Sequence, residues 1–526
     1  MRDFHQPGRS TVHALNGMVA TSHPLAAKVA LDILQAGGNA ADAAIAGAVL
    51  LGLAEPQMTG IGGDCFVLLK PAGSEDILAL NGSGRAPSGL SAQAMRDHGL
   101  ATVPLRGIES VTLPGAIDAF CTLAESHGKL GIDRLLAPSI RYAEEGIPVA
   151  PRVAFDWIED EAALTGRARE LYLLSGRVPK AGEVFRSPGQ AEVLRRIAAQ
   201  GRAGFYEGEV AEDMVASLRA AGGCHTPDDF AAVRCDWTVP LSAPYRGAEI
   251  VEYPPNGQGA TALLLANILS HFDLAALDPT GPDRAHLEAE ATKLAYDARN
   301  RFLADADRTA RLDHMLSPDT AARLAALIDP RRAMPAAAPL AEAVHRDTVY
   351  ITVVDRDRMA VSLIYSIFWA FGAGIASERF GILFQNRGAG FSLQQGHPNE
   401  AAGGRRPMHT IIPAMLRQGG RVTMPFGVMG GAYQPAGHVR LVSNMLDCGM
   451  DVQTAIDTPR SFAALDGTLQ LERGYPDATA ARLAEMGHKL TVPEKPIGGA
   501  QAIVIGADGV LTGGSDPRKD GCALGY

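Results

Sequence analysis

The sequence predicts an α+β protein, because two kinds of hydrophobic periodicity occur in different parts of the chain. Over residues 115–329 apolar residues recur at helical spacing in several segments, interrupted by one strand-like patch, GAEIVEYPP. After residue 347 the period changes to two, and two β-rich runs, 348–354 (TVYITVV) and 360–366 (AVSLIYS), follow one another. Helical segments followed by strands of this kind indicate the α+β class.

The N-terminal region predicts two helices and then a strand. Residues 24–35 have apolar residues at helical spacing, with Ser22 as a candidate cap, and Asn39 can cap a second helix, AADAAIAGAVLLGLAE, that is apolar nearly all round. Such a helix should be buried. The glycines of MTGIGGDCFVLLK precede a strand over 65–69. We therefore predict a tight turn there, since a dinucleotide-binding loop needs the order strand, glycines, helix.

Composition and charge exclude several kinds of partner. The chain has 526 residues, 47% hydrophobic and 20% charged, with a formal net charge of −10, as in ordinary globular proteins. No dense Lys/Arg run is present, so neither nucleic acid nor an anionic membrane is a predicted partner. Residues 1–17 lack the apolar stretch of a secretory signal, and the apolar stretch 40–54 is too short to span a bilayer. We expect a cytoplasmic protein.

The cysteines predict neither disulfides nor a metal site. They form no CxxC pair and no spaced Cys/His set, so free thiols are expected. The six are Cys65, Cys121, Cys224, Cys235, Cys448 and Cys522.

The two β-rich runs predict a hairpin with a three-residue loop, 356–358. One face is then apolar and consists of Val349, Ile351, Val353, Val361, Leu363 and Tyr365. The other face is rich in hydroxyl groups and consists of Thr348, Tyr350, Thr352, Ser362 and Ser366. A slip of one residue would mix the two faces, so this register is favoured. It places Ser366 opposite Thr348.

Thr348 is a candidate nucleophile because of its surroundings in the sequence. It follows an Ala- and Pro-rich stretch, 331–340 (RRAMPAAAPL), which is typical of an exposed linker in which a cut is tolerated. Ser366 can hydrogen-bond its hydroxyl, and Gly430 and Gly431 in FGVMGG offer backbone N–H groups to a ligand. Alone, a threonine at a strand start is an ordinary β residue and paired glycines are an ordinary turn, so only their combination indicates a catalytic site.

In these segments the chain resembles the γ-glutamyltranspeptidases and their acylase relatives, which are N-terminal nucleophile hydrolases. The resemblance extends over nearly the whole chain and keeps the order of the motifs. They are GMVATSHPLAAKVALDILQAGGNAADAA, IGGDCF, ESVTLPGAIDAF, EAEATKLAYDARNRFL, DTVYITVVDRDRMAVSLIYS, FGAGI, GILFQNRGAGFS, RPMHTIIPAM, GVMGG and GGSDPRKDGCALGY.

The resemblance implies a four-layer αββα sandwich and self-cleavage between Asp347 and Thr348. The products would be a large subunit, 1–347, and a small catalytic subunit, 348–526, that stay packed together as a heterodimer. Two such heterodimers could pair further. The freed α-amine, with a pKa of about 7.7–8.0, would act as the base for the Thr348 hydroxyl. Ser366 stands where the family has a second threonine and would orient that hydroxyl.

The resemblance also implies which groups stabilise the intermediate of the reaction. Gly430 and Gly431 match the family's oxyanion-hole glycines, whose N–H groups stabilise a tetrahedral intermediate. Neither a metal nor an organic cofactor is implied.

The positions that bind the substrate depart from the glutamyl pattern. Where glutamyl-transferring members hold the substrate's α-amine with Asn, Gln and Asp, this chain has Phe368, Arg387 and Gly390. The Ser–Ser pair that contacts the α-carboxylate reads His409-Thr410 here. The side chains that would accept hydrogen bonds from the substrate's ammonium group are therefore absent, and Arg387 introduces a positive charge.

The family's carboxylate-binding arginine aligns with Ser83, two residues before Arg85, which could replace it. An ammonium facing Arg387 would be repelled and left without a partner. We therefore expect an acyl group without the amine, whose carboxylate is held by Arg387, Arg85 or His409. The alternative for Arg387 is a surface or subunit-pairing role.

Two segments narrow the expected substrate. NRGAGFS and RPMHTIIPAM resemble those of dicarboxylic-type cephalosporin acylases and oxamate amidohydrolases, so the sequence predicts hydrolysis of a small oxamate- or glutaryl-type amide, with acyl transfer secondary. One rival is glutathione hydrolase and γ-glutamyl transferase activity. The other is an uncleaved chain that acts as a non-enzymatic binding protein.

Overall fold

A computed structural model describes residues 5, 8–334 and 348–526 of the chain. The predicted cleavage-site residue Asp347 and most of the predicted linker, from 335 onward, lie outside the described residues. The described residues therefore end at 334 in the predicted large subunit, 1–347, and include every residue of the predicted small subunit, 348–526.

The described residues contain nineteen strands. In chain order they are β1 Val12–Ala14, β2 Met18–Thr21, β3 Asp64–Lys70, β4 Leu78–Gly82, β5 Ile147–Pro148, β6 Val184–Phe185, β7 Asp236–Thr238, β8 Leu241–Tyr245, β9 Ala248–Glu252, β10 Val349–Val354, β11 Ala360–Ser366, β12 Ala414–Gln418, β13 Arg421–Met429, β14 Ser461–Ala463, β15 Leu469–Leu471, β16 Leu490–Thr491, β17 Gly499–Ile505, β18 Leu511–Ser515 and β19 Cys522–Gly525.

They also contain eighteen α-helices and five short 3₁₀ helices. The α-helices are α1 Pro24–Gln35, α2 Ala40–Ala54, α3 Ala92–Asp97, α4 Ala116–His127, α5 Ile132–Glu145, α6 Pro151–Asp160, α7 Gly166–Tyr172, α8 Pro188–Gln200, α9 Ala203–Tyr206, α10 Gly208–Ala220, α11 Pro227–Ala231, α12 Gly259–Leu269, α13 Pro282–Phe302, α14 Leu312–Leu316, α15 Pro318–Ala325, α16 Gln434–Leu446, α17 Val452–Asp457 and α18 Asp477–Glu485. The 3₁₀ helices are Ile108–Ser110, Glu161–Ala163, Leu274–Ala276, Arg387–Gly390 and Gly431–Tyr433.

Two seven-stranded antiparallel sheets form the centre of the fold. The first has the order β1-β18-β17-β13-β12-β9-β8 and the second β19-β2-β10-β11-β3-β4-β7. Apolar residues of both sheets meet in one core between them. Helices α1, α2 and α4 cover the outer face of the second sheet, with α5 packed on α2, and α12 and α16 cover that of the first. The predicted four-layer αββα sandwich is confirmed.

The first two helices have the predicted extents, but one cap differs. Asn39 caps α2 and makes a reciprocal capping box with Asp42, and every residue of α2 is buried, as predicted. The cap of α1 is His23, whose Nδ1 accepts from the Leu25 N–H at 3.2 Å. Ser22 was the wrong candidate, because its hydroxyl donates to the buried carboxylate of Glu55 instead.

The glycine-rich segment before β3 is the predicted tight turn. The Gly63 N–H donates to the Gly60 carbonyl at 2.9 Å, and β3 follows with all seven residues buried. A Cβ on Gly63 would lie 2.4 Å from the carbonyl oxygen of Ser366, so glycine is needed for this turn to pack against the end of β11.

The β10–β11 hairpin has the predicted register. Val349 pairs with Tyr365 and Ile351 with Leu363, and the three-residue loop 356–358 contains Arg358 at φ +62°. The apolar face packs on the helices and the hydroxyl-rich face points to the other sheet.

All six cysteines are free thiols, as predicted. Among the described residues, none of the helices combines the length and the hydrophobicity that crossing a bilayer requires.

Gly427 on β13 allows the two sheets to approach each other, and this gives a first prediction. A Cβ there would lie 2.3 Å from Tyr350 Cε2 on the facing sheet. We expect Gly427→Ala to lower the free energy of unfolding by about 1–3 kcal/mol, because the ring must shift in a packed core. Urea denaturation measures this. The control is Gly60→Ala, whose added methyl meets no atom within 4 Å; equal effects of both variants would contradict the account.

Candidate active site

The hydroxyl of Thr348 lies between the two sheets, at the start of the paired strands. Thr348 directly precedes β10 and is fully buried. Its Oγ1 donates to Ser366 Oγ at 3.4 Å, as expected if the register of the hairpin continues by one more pair. Ser366 Oγ also accepts from the Phe368 N–H at 2.9 Å, which fixes the position of the serine oxygen.

Gly430 and Gly431 follow directly after β13, the strand of the first sheet that faces β10. Their φ angles are +126° and +55°, values that side-chain-bearing residues rarely adopt. A Cβ on Gly430 would also lie 2.9 Å from the Cα of Gly498. The Gly431 carbonyl accepts from Gln258 Nε2 at 3.0 Å, so a buried amide holds the turn from behind.

Arg387 is fully buried beside the serine of the hairpin. Its Nη1 donates to Thr410 Oγ1 at 2.9 Å, its Nη2 donates to Ser366 Oγ at 3.4 Å, and its Cζ lies 4.1 Å from the centroid of the Phe368 ring. Burial lowers the pKa of Arg387 to about 9, against the opposing effect of the Asp64 charge. The alternative reading of Arg387 as a surface residue is wrong.

Asp64, the first residue of β3, is the buried acid that partners this cation. Burial raises its pKa to about 6, although the positive charge of Arg387 and hydrogen bonds from the Gly84 N–H and the Gln385 side-chain amide oppose the shift. The acid also receives a hydrogen bond from His409 Nε2 at 3.0 Å.

His409 is neutral in this arrangement. Its Nδ1 accepts from the Ile411 N–H at 3.4 Å, so the proton is on Nε2 and donates to Asp64. Burial, followed by the charges of Arg387 and Arg406, holds the pKa of His409 well below its usual value. A neutral His409 brings no positive charge to the site, and its contact with a substrate carboxylate stays a prediction.

Arg85 lies apart from these residues, in an exposed ion-pair cluster. Its side chain is 45% exposed, and its guanidinium lies 3.3 Å from Asp305 and 3.8 Å from Asp236. It also donates to the Gly404 carbonyl at 3.0 Å. The expectation that Arg85 replaces the family's carboxylate-binding arginine is corrected, because this guanidinium is already neutralised away from the cavity.

A cavity of about 350 Å³ adjoins the site. Phe368 and Thr410, both in contact with Arg387, line it together with Ala432, which follows Gly431. Its other apolar walls are mainly Val103, Leu105, Leu303, Trp369, Phe391, Leu393 and Met408. Its other polar groups are Thr102, Arg299, Asn300, Ser392, Gln394, His397 and Asn399.

Three residues that support the site were not predicted from the sequence. They are Asp64, Gln258 and Arg299, all fully buried. The guanidinium of Arg299 donates to Gln258 Oε1 at 3.0 Å, and Gln258 in turn donates to the Thr410 and Gly431 carbonyls. The signal for Asp64 is a carboxylate at the head of an otherwise apolar strand. Gln258 and Arg299 carry no comparable local signal.

Taken together, the site combines a buried hydroxyl, a second hydroxyl in contact with it and a fixed cation. Directly after β13, Gly430 and Gly431 form a turn with left-handed backbone that leads into the 3₁₀ helix Gly431–Tyr433. Such turns offer backbone N–H groups to anions. This set suits nucleophilic attack on a carbonyl with stabilisation of the developing oxyanion.

Comparison with known proteins agrees with this chemistry. Residues 26–526 match the family described as gamma-glutamyltranspeptidase. The chain is 36% identical over 521 residues to the glutathione hydrolase-like YwrD proenzyme of Bacillus subtilis, covering 97% of this chain and 98% of that protein. It is 34% identical over 530 residues to the oxamate amidohydrolase proenzyme of Klebsiella pneumoniae, with coverage of 97% and 98%. The crystal structure of a cephalosporin acylase from Bacillus halodurans superposes with a TM-score of 0.93 at 38% identity, covering 100% of this chain and 99% of that one.

The raised pKa of Asp64 predicts a specific pH dependence of stability. In the unfolded chain this carboxyl ionises near pH 3.9, in the folded protein only near pH 6, so the folded state prefers its protonated form. About 3 kcal/mol of stability from this group should be present below pH 4 and lost as the pH rises to 6. Unfolding titrations of the wild type and Asp64→Asn between these values measure the difference in slope.

A control with an exposed carboxylate, Asp32→Asn on α1, should keep the wild-type slope. Parallel profiles for Asp64→Asn and the wild type would show that Asp64 has no such shift.

Proposed function

Because the chain belongs to the γ-glutamyltranspeptidase family, we propose that it is a self-processing amide hydrolase with Thr348 as its nucleophile. The observation that carries the proposal is the buried contact of 3.4 Å between the Thr348 and Ser366 hydroxyls at the head of the central hairpin. Through Ser366 Oγ, that contact also links the Thr348 hydroxyl to the buried guanidinium of Arg387.

Maturation is a cut between Asp347 and Thr348, giving chains 1–347 and 348–526. The two chains would remain together, because each sheet contains strands from both sides of the cut. In the second sheet β10 pairs with β2 and β11 with β3, and in the first sheet β12 pairs with β9. Backbone hydrogen bonds and a common core therefore join the products.

In the proposed reaction the cut frees the α-amine of Thr348. The amine takes the proton of the Thr348 hydroxyl as Oγ1 attacks the substrate's amide carbon, and gives that proton to the leaving amine as the C–N bond breaks. The acyl group is then an ester of Thr348. Water, deprotonated by the same amine, attacks this ester, and the threonine oxygen takes back a proton on leaving.

Three groups assist these steps. Ser366 holds the hydroxyl in position, and the N–H groups at Gly430 and Gly431 would receive the negative charge of the tetrahedral intermediate, an effect of about 3–4 kcal/mol for one donor in other hydrolases. The cation of Arg387, whose Nη2 donates to Ser366 Oγ, disfavours a protonated amine on Thr348 and so keeps that amine available as the base.

The acyl group that fits the site has a carboxylate and no α-amine. Arg387 is a buried cation in contact with Thr410 and Phe368 at the cavity wall, and a substrate ammonium placed there would face a like charge. Arg299 is a second cation on the wall of the cavity. The Arg387 guanidinium suits a carboxylate, which a guanidinium can bind with two hydrogen bonds.

The size of the cavity favours a glutaryl-type acyl group over oxamate. About 350 Å³ with aliphatic and aromatic walls suits a chain of methylene groups and a sizeable leaving amine, whereas oxamate would leave most of this space unfilled. The solved acylase relative supports this choice, and the oxamate amidohydrolase relative makes oxamate the natural comparison substrate.

The maturation step gives a direct test by denaturing electrophoresis. Wild-type protein should show two bands, and Thr348→Ala should show one band at the full 55.2 kDa with no amidase activity, because the attacking oxygen is gone. Thr348→Ser keeps a hydroxyl and should still cut. Thr352→Ala, on the same strand and face, is the control and should process normally. Two bands from Thr348→Ala would rule out this nucleophile.

Substrate choice is tested with paired anilides that differ only in the α-amine. We expect kcat/KM for the glutaryl anilide to exceed that for the γ-glutamyl anilide by about 100-fold, because the ammonium would be repelled and left without a partner. Arg387→Gln should bring the ratio toward one, while Arg85→Gln should leave it unchanged. Comparable turnover of both anilides by the wild type would refute the charge argument.

A further inference from the structure

A second cluster of ionisable side chains lies outside the active site. His286 and Glu290 are one turn apart on α13, and His488 lies between α18 and β16. All three are buried, and one nitrogen or oxygen atom from each lies within 4.8 Å of the others. Two imidazoles and a carboxylate in such an arrangement form a donor set typical of Zn²⁺ and related ions.

The hydrogen bonds of His286 leave one of its nitrogens available as a donor atom. Its Nε2 lies 2.8 Å from the Asp329 carbonyl, which can only accept, so the Nε2 of His286 carries the proton. Its Nδ1 therefore has a free lone pair, which points at His488 Nε2 at 2.8 Å. A histidine that donates one N–H to a carbonyl and presents its other nitrogen is the usual geometry of a metal ligand.

The distances between the ligand atoms lie on either side of the spacing that a bound ion requires. Ligand atoms at about 2.0–2.1 Å from a tetrahedral Zn²⁺ are about 3.3 Å apart. The two imidazole nitrogens are 2.8 Å apart, His488 Nε2 is 4.0 Å from Glu290 Oε1, and the atoms of the third pair lie within 4.8 Å of each other. Shifts of about an ångström would therefore bring all three to the ligand spacing. To present Nε2 to an ion, the neutral His488 ring would carry its single proton on Nδ1 instead of on Nε2, which now faces His286 Nδ1.

We propose that His286, Glu290 and His488 form a binding site for one divalent transition-metal ion of the Zn²⁺ class. The ion would join the residues on the two sides of segment 335–347, because His286 and Glu290 precede that segment and His488 follows it. The two residues that precede this segment are already hydrogen-bonded near the cluster. The Met334 N–H donates to Glu290 Oε2 at 2.8 Å, and the Ala333 N–H donates to the Met486 carbonyl at 2.8 Å.

Lys293 is the group that competes with the ion. Its ammonium lies 2.6 Å from Glu290 Oε1 and also donates to the Met334 carbonyl at 3.1 Å. The Lys293 side chain is 14% exposed, so it can swing toward solvent and release the carboxylate. Removing this positive charge should therefore tighten metal binding, whereas removing a ligand should weaken it.

Metal titration of the full chain, after treatment with a chelator, tests the site. Isothermal titration with Zn²⁺ should give one ion per chain, and Co²⁺ should give the visible absorption of a low-coordinate nitrogen and oxygen site. We expect His488→Ala to weaken Zn²⁺ binding by about 100-fold or more, and Lys293→Met to tighten it by about tenfold. His98→Ala, an exposed histidine at the end of α3, is the control and should bind as the wild type does.

The opposite signs of the two variants separate ligation from a loss of folding. A misfolded protein would not bind more tightly, so tighter binding by Lys293→Met supports the site even if His488→Ala is unstable. Less than one equivalent of Zn²⁺ bound by the wild type would overturn the proposal, as would unchanged affinity in His488→Ala or weakened affinity in Lys293→Met. The test does not depend on hydrolase activity.

Discussion

The pairing of β10 with β11 is the interaction on which the rest of the structure depends. Its register sends one row of side chains into the helical layer and the other, rich in hydroxyl groups, into the space between the sheets. A shift by one residue would bury Thr348 among aliphatic side chains and expose Val349 to the site. The tight turn at Gly63, which contacts the Ser366 carbonyl, further fixes the end of this hairpin.

Buried charge gives the site its second defining property. Arg387 and Asp64 are both fully buried, and each shifts the pKa of the other toward the charged form against the effect of burial. Such a pair is costly to remove from water, and it is retained where a fixed field has a use. Here the cation lies within hydrogen-bonding range of Ser366. In the proposed mechanism the same charge therefore acts on both the nucleophile and the choice of acyl group.

Local sequence patterns predicted the parts of the fold that depend on near neighbours along the chain. The extents of α1 and α2, the Asn39 cap and the register of the hairpin follow from periodicity and turn chemistry. The positions of Arg85 and His409 could not be predicted from such local patterns, because their partners, Asp305 and Asp64, are more than two hundred residues away in sequence. The same is true of the cluster of His286 and His488, which only the packing of α13 against the C-terminal region brings together.

In the proposed mechanism the N-terminal threonine of the small chain carries the acyl group. Peptide mass mapping of enzyme quenched with acid during turnover of a glutaryl amide tests it most directly. We expect a peptide that begins Thr-Val-Tyr, with a free α-amine and an added acyl mass on Thr348. An acyl mass on Ser366, or active protein with no chain beginning at Thr348, would contradict it.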